Sequence, residues 1–148
     1  MTKLDSIINQ NLYMNIATVC EDGSPWNTPV FFAGNLEDGL VWWSSVSSQH
    51  SQNIARDARV FITIYNSKEV EGKGVGVYLQ GHAKEVQAEE MQDALNAYNA
   101  KAQSFKLTTE NSSGNAPTRL YMFVPQKIWM NDGIEEDGFY QDIREVIK

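Results

Sequence analysis

Strand patterning dominates the chain. Tyr13–Cys20 (YMNIATVC), Asn27–Ala33, Leu40–Ser45, Arg59–Asn66 and Val75–Val86 each read as a β-strand, apolar and β-branched residues bounded by turn chemistry. In Arg59–Asn66 the alternation is clearest: Val60, Ile62 and Ile64 fall on one face, Phe61, Thr63 and Tyr65 on the other. Glu21-Asp22-Gly23-Ser24 and Asn35-Leu36-Glu37-Asp38-Gly39 supply the turns between the first three strands, which the pattern joins as a meander. Arg119–Val124 and Lys127–Asn131 are strands that Pro125 should separate, and Phe139–Ile147 adds a further strand or a short helix.

Helical spacing interrupts this pattern three times. Thr2–Asn11 puts Leu4, Ile7 and Ile8 on one face, with Thr2 placed to cap it. Ser47–Asp57 spaces Val46, His50 and Ile54 one turn apart, with Ser47 or Ser48 as N-cap. Ala88–Ser104 carries a stripe of Met91, Leu95, Tyr98 and Ala102. Residues 67–74 and 108–118 are polar loops. The expectation is a single, mainly β domain over residues 1–148, with six or seven antiparallel strands and three short helices. Three helices cannot cover an open sheet of that size, and closing it into a barrel removes the edges; a sandwich is the alternative.

Composition narrows the function classes. The chain has 148 residues, with 42% hydrophobic and 21% charged, which suits one globular domain. Nineteen acidic against twelve basic residues give a net charge of −7. No Lys/Arg cluster is present to replace counterions on phosphates, so nucleic acid is not expected as a partner, and an acidic surface disfavours anionic membranes. No apolar run is long enough to span a bilayer, and Met1-Thr2-Lys3-Leu4-Asp5 is too polar for a signal peptide. The single cysteine, Cys20, precludes an internal disulfide. The expected location is the cytoplasm.

Familiar catalytic constellations are missing. Two histidines and one cysteine, without HExxH or CxxC spacing, make a poor metal set, and no GxSxG elbow occurs. Gly72-Lys73-Gly74-Val75-Gly76 lacks the GKS or GKT ending of a phosphate loop and reads as a flexible hairpin loop. The segment from Trp42 to Asn53 (WWSSVSSQHSQN) says more. A strand hands over to a helix within a few residues, so free backbone N–H groups and a crowd of serine hydroxyls face the same place, as an anion site requires. His50 and Asn53, three apart, share one helix face. Ordinary capping, with His50 as polar surface, is the competing reading. Of the four tryptophans, Trp26, Trp42, Trp43 and Trp129, most should fill core or interface, and one could lie beside a planar ring.

Taken in order, Ala17-Thr18-Val19, Asp22-Gly23-Ser24-Pro25, Thr28-Pro29-Val30-Phe31-Phe32, Leu40-Val41-Trp42-Trp43-Ser44, Ser48 to Ile54 and Ala58-Arg59-Val60 resemble the pyridoxamine 5'-phosphate oxidase-like, FMN-binding split-barrel family. Val77 to Ala83 resembles the family strand ending in Gly-x-Ala, and Arg119-Leu120-Tyr121 through Trp129 its late strand pair. The resemblance runs from residue 13 to about residue 131. It implies a split β-barrel, a homodimer, and FMN in a groove at the dimer interface. On that likeness the flavin ring lies along Thr28, Pro29, Val30 and the backbone of Trp43 and Ser44. The phosphate meets Ser48, Gln49 and His50, with Asn53 nearby. A second protomer adds Gln80 and Trp129. The implied activity is that of an FMN-dependent oxidoreductase acting on a small-molecule substrate, with a reduced nicotinamide as a candidate electron donor; the catalytic residues are left unassigned.

Two departures bear on this. The second strand, Thr28 to Ala33, carries no charge where characterised oxidases hold phosphate with basic residues, and Gln49-His50 stands where Arg-Lys is common. The basic C-terminal motif that binds pyridoxamine phosphate is also absent from the sequence, so a different substrate is expected. A non-catalytic module that binds or senses flavin or haem remains the alternative, and a flavin-free dimeric barrel making only protein contacts is the third.

Overall fold

A computed structural model describes residues 1–148, except for the side chains of residues 132–135. Helix α1 (Lys3–Gln10) opens the chain under a capping box: the Asp5 amide donates to Thr2 Oγ1 at 3.1 Å, and the Thr2 amide to Asp5 Oδ2 at 3.0 Å. Strands β1 (Tyr13–Val19) and β2 (Pro25–Phe31) follow as a hairpin, and Gly23 takes the left-handed conformation at its turn. A short β3 (Ala33–Asn35) and β4 (Gly39–Ser45) form a second hairpin. Helix α2 (Gln49–Arg56), β5 (Arg59–Tyr65) and β6 (Gly76–Glu85) come next. A 3-10 turn (Ala88–Glu90) leads into α3 (Met91–Lys101), and β7 (Thr118–Glu136) and β8 (Phe139–Val146) close the chain.

All eight strands belong to one sheet, ordered β2-β1-β5-β6-β7-β4-β3 with β8 on the far side of β7. Every pairing is antiparallel. The two ends of that order, β2 and β3, are joined in the chain through Phe32 alone. The sheet therefore curls round as a half-barrel and leaves a seam between β2 and β4, which are not paired. One continuous sheet also decides against a sandwich.

Two apolar cores result. Inside the curl, Met14, Ile16, Val30, Phe32, Leu40, Trp42, Ile62, Ile64, Leu79 and Phe123 pack together. Outside it, α3 lays Met91, Leu95 and Tyr98 onto Ala33, Val41 and Leu120. Strand β4 is thus covered on both sides, which is why Gly39–Val41 and Trp42 are all buried and its sequence shows little alternation.

The structure corrects four sequence expectations. There are eight strands rather than six or seven. The first three do not form a meander: Leu40–Ser45 pairs with β7 and β3, never with β2. Pro125 does not break β7. It sits at a bulge opposite Gly81, where the register slips between Gln80 and Gly81, so the missing proline N–H is accommodated. Finally, α3 ends at Lys101 rather than Ser104, and it begins through the 3-10 turn. The C-terminal segment is a strand, one of the two options the pattern allowed.

Candidate functional site

Helix α2 lies across one end of the half-barrel, in contact with β1, β2 and β6. Its N-terminus meets the end of β4. Ser48 is the N-cap, as expected: its hydroxyl accepts from the Ser51 amide and donates to the Ser45 carbonyl at 2.8 Å. Ser45 and Ser47 hydroxyls are 2.9 Å apart. The Gln49 and His50 amides find no acceptor among the described residues, so two donors and the positive end of the helix dipole face the serine-rich mouth.

His50 is not surface. It is 8% exposed and turns inward, its Nε2 2.8 Å from Ser44 Oγ and 3.3 Å from Ser48 Oγ. Burial pushes its pKa below the ordinary histidine value. At neutral pH it is an uncharged imidazole that orders two serines, and it adds no positive charge to the mouth. Asn53 is fully buried: its Nδ2 donates to Thr18 Oγ1 at 2.9 Å and to Cys20 Sγ at 3.5 Å, and its Oδ1 accepts from Gln49 Nε2 at 2.8 Å. It tethers the helix to β1.

The site residues inferred from sequence fall into four places. Ser44, Ser48, Gln49 and His50 converge at the β4–α2 mouth, with Asn53 below them. On β2, Thr28 pairs with Ile16 and accepts from Trp26 Nε1 at 3.0 Å, Val30 is core, and Pro29 points to the outer face. Trp43 turns its side chain towards the α3 layer, donating to the Asn111 carbonyl at 3.1 Å and standing edge-on to Phe105, so only its backbone can contribute. Gln80 and Trp129 lie on the outer face of the sheet, with Trp129 stacked on Phe61. That is the opposite face from Ser44, so these two do not complete the mouth within one chain.

Sequence reasoning missed the Ser44–His50 contact and the Thr18, Ser51 and Cys20 floor. Neither has a sequence signature, because both depend on how the strand-to-helix turn aims α2. It also missed Arg119, which pairs across from Ser44 on β7. Its guanidinium is already taken up by Glu85 at 2.9 Å and by the carbonyls of Gly114, Ala116 and Thr118. Trp42 Nε1 is buried without an acceptor. The mouth therefore presents amides and hydroxyls, with no Lys or Arg anywhere from Ser44 to Ala55. Among the described residues no cluster could hold a metal ion, and no helix is long and apolar enough to cross a membrane.

Solved structures share this fold at low identity. The chain is 19% identical to a heme binding protein from Mycobacterium smegmatis, with a TM-score of 0.71 over 93% of this chain and 54% of that one, so it spans about half of that relative. It is 17% identical to HutZ, the heme storage protein from Vibrio cholerae, with a TM-score of 0.71 over 85% and 90% of the two chains. It is 14% identical to a FAD-binding protein from Mesorhizobium loti, with a TM-score of 0.65 over 88% and 94%. No curated protein matches. The family model described as pyridoxamine 5'-phosphate oxidase matches residues 1–132, nine-tenths of the sequence, and on that match the chain belongs to the pyridoxamine 5'-phosphate oxidase family of split-barrel proteins.

Proposed function

We propose that this chain is a flavin-binding member of its family, that FMN is the flavin, and that it works as an oxidoreductase in a homodimer. The observation that carries the reading is the pair of unpaired amides, Gln49 and His50, set beside the Ser44, Ser45, Ser47 and Ser48 hydroxyls at the mouth of the β2–β4 seam. A terminal phosphate can accept from both amides without displacing an existing bond. The Mesorhizobium relative supports a flavin in such a fold.

When bound, the flavin supplies the redox chemistry. This chain's own residues bind and orient. Ser48 and the two amides hold the anion. His50 fixes Ser44 and Ser48 by accepting from or donating to each hydroxyl. Thr28 and the Trp43–Ser44 backbone offer the edge of a planar ring polar contacts. Gln80 and Trp129, facing outward, serve the cleft of a second copy. The missing cation lowers the expected affinity for phosphate without abolishing it.

The test is an FMN titration followed near 450 nm (approximately, for an oxidised flavin), then anaerobic addition of NADH or NADPH. Binding that weakens in Ser48→Ala, followed by bleaching with either donor, supports the reading. Protein that never takes up FMN refutes it, and flavin that binds but is not reduced leaves a binding module. The haem alternative draws on the Mycobacterium and Vibrio relatives. His82, exposed on the outer face, is the histidine free to act as an axial ligand, whereas the ring of His50 is engaged. A Soret band lost in His82→Ala would decide for haem.

A further inference from the structure

Three of the four tryptophans are absorbed by the fold: Trp42 in the core, Trp43 edge-on to Phe105 and Trp129 stacked on Phe61. The fourth, Trp26, is 45% exposed. A lone exposed tryptophan is ordinary on a protein surface; the placement of this one is not. Trp26, Thr28 and Val30 alternate along the inner face of β2, and Val30 is core. Trp26 pairs with Thr18, whose hydroxyl accepts from Asn53 of α2, so the indole stands at the α2 end of the seam. Its Nε1 donates to Thr28 Oγ1 at 3.0 Å, which holds the ring in one orientation.

The edge beside this indole is built to stay open. The Phe32 amide donates to the Leu12 carbonyl at 3.1 Å and the Cys20 amide to the Ser24 carbonyl at 2.8 Å, which sets the phase of the β1–β2 ladder. In an antiparallel pair a residue turns its N–H and C=O to the same side, and alternate residues turn them away. The even-numbered residues of β2 therefore bond β1, and Pro25, Asn27, Pro29 and Phe31 turn their backbone to the seam. Two of these are prolines without an N–H, so the edge cannot accept a further strand, and their fixed φ stiffens the strand that carries Trp26. Charge narrows what can enter. No Lys or Arg occurs between Lys3 and Arg56, while Asp5, Glu21, Asp22, Glu37 and Asp38 do. Arg56 is bound to the Val19 carbonyl, and Arg119, across from Ser44, to Glu85 and three loop carbonyls.

We propose that Trp26 sets the substrate class of the seam: its indole is the wall on which an uncharged, planar aromatic substrate stacks, beside the flavin ring that Thr28, Pro29 and Val30 would carry. The inference rests on the flavin reading for what lies next to the substrate, but the wall itself belongs to this chain. An indole fixed in orientation on a stiff strand loses little freedom when a ring stacks on it. An anionic substrate meets no free cation at this lip and several carboxylates in the elements around it, so it is disfavoured.

The experiment uses the full chain saturated with FMN and two probes of matched shape, the neutral 2-naphthamide and the anionic 2-naphthoate, titrated calorimetrically in low salt. The amide is expected to bind about fivefold more tightly than the naphthoate, and added salt should narrow that gap. Trp26→Leu should weaken amide binding about fivefold while FMN affinity and Tm stay at the parent values. Trp26→Phe, which keeps an aromatic face and loses the N–H, should retain most of the amide affinity. Amide binding that is absent, or equal in Trp26→Leu and the parent, overturns the proposal, as does naphthoate binding as tight as that of the amide. A chain that takes up no FMN refutes the flavin reading instead. The same titrations on the flavin-free chain then decide the wall: amide binding weakened by Trp26→Leu upholds it, and amide binding indifferent to that change overturns it.

Discussion

Removing the Asn53 side chain should damage the fold and the anion cradle together. Asn53 has no exposed surface and makes three side-chain hydrogen bonds, to Thr18, Cys20 and Gln49. In Asn53→Ala the Thr18 hydroxyl, itself 2% exposed, is left without its donor, which costs about 1–3 kcal/mol. The void adds roughly another 1 kcal/mol, because helix and strand relax only partly into it. The sum, about 2–4 kcal/mol, corresponds to a fall in Tm of roughly 5–12 °C for a chain of this size. Urea unfolding should show a lower midpoint with an unchanged slope. Thr18→Val, which removes the partner and keeps the shape, should be milder. The double variant should cost clearly less than the two single changes added together. Additive costs, or a loss below about 1 kcal/mol for Asn53→Ala, would show that α2 is held by its apolar face alone. FMN affinity should fall in Asn53→Ala, although the side chain faces away from the mouth. A variant that is destabilised but binds FMN normally would separate helix anchoring from site geometry.

Burial lowers the pKa of His50, so the unfolded chain binds the proton more readily than the folded one; stability should be full above the unfolded value near 6.5 and lost as pH falls below it, a slope that His50→Gln should flatten in Tm-versus-pH measurements. Lys101 is pushed down to about 8 by burial, although its Nζ donates to the Asn11 carbonyl at 2.6 Å and sits 3.8 Å from the centre of the Phe32 ring, both of which favour the charged form. If burial dominates, the parent gains stability relative to Lys101→Met as pH rises from about 8 towards 10.5; a flat difference would show that the ring and carbonyl offset the burial. Gly81→Ala should lower Tm by several degrees, because its Cβ meets the Val124 carbonyl at 2.5 Å and Phe123 Cε2 at 2.9 Å; an unchanged melting curve would mean the bulge yields. The cradle should prefer FMN over riboflavin by only about tenfold, the worth of a dipole and two amides without a cation, and a thousandfold preference in parallel titrations would require a cation from a second protomer.

The strands were legible where one face is buried. Val60, Ile62 and Ile64 against Phe61, Thr63 and Tyr65 gave β5 its register because the sheet has an inside and an outside there. Legibility failed where a strand is covered on both sides or where pairing is distant in sequence. Strand β4 looks like the third strand of a meander because its neighbours in the chain are β2 and β3. Its principal partner is β7, which begins more than seventy residues later, and no local pattern encodes that pairing. Pro125 misled for a related reason: proline excludes a regular ladder position but fits a bulge, and the bulge is set by Gly81 on another strand. At the site, spacing located the Ser48 cap and the shared face of His50 and Asn53. It could not tell which way that face points, and the structure turns it inward.

That inward turn changes the chemistry. A histidine and an asparagine one helical turn apart at a strand-to-helix junction look like ligands. Here the histidine is a neutral brace for two serines and the asparagine an anchor on β1, while the two groups free to meet an anion, the Gln49 and His50 amides, carry no side-chain identity. A backbone cradle of this kind tolerates substitution, because any residue supplies an amide. Its neutrality also has a consequence for selectivity. Without an arginine fork, the mouth would hold the proposed phosphate by geometry and dipole, interactions that decay within one helical turn.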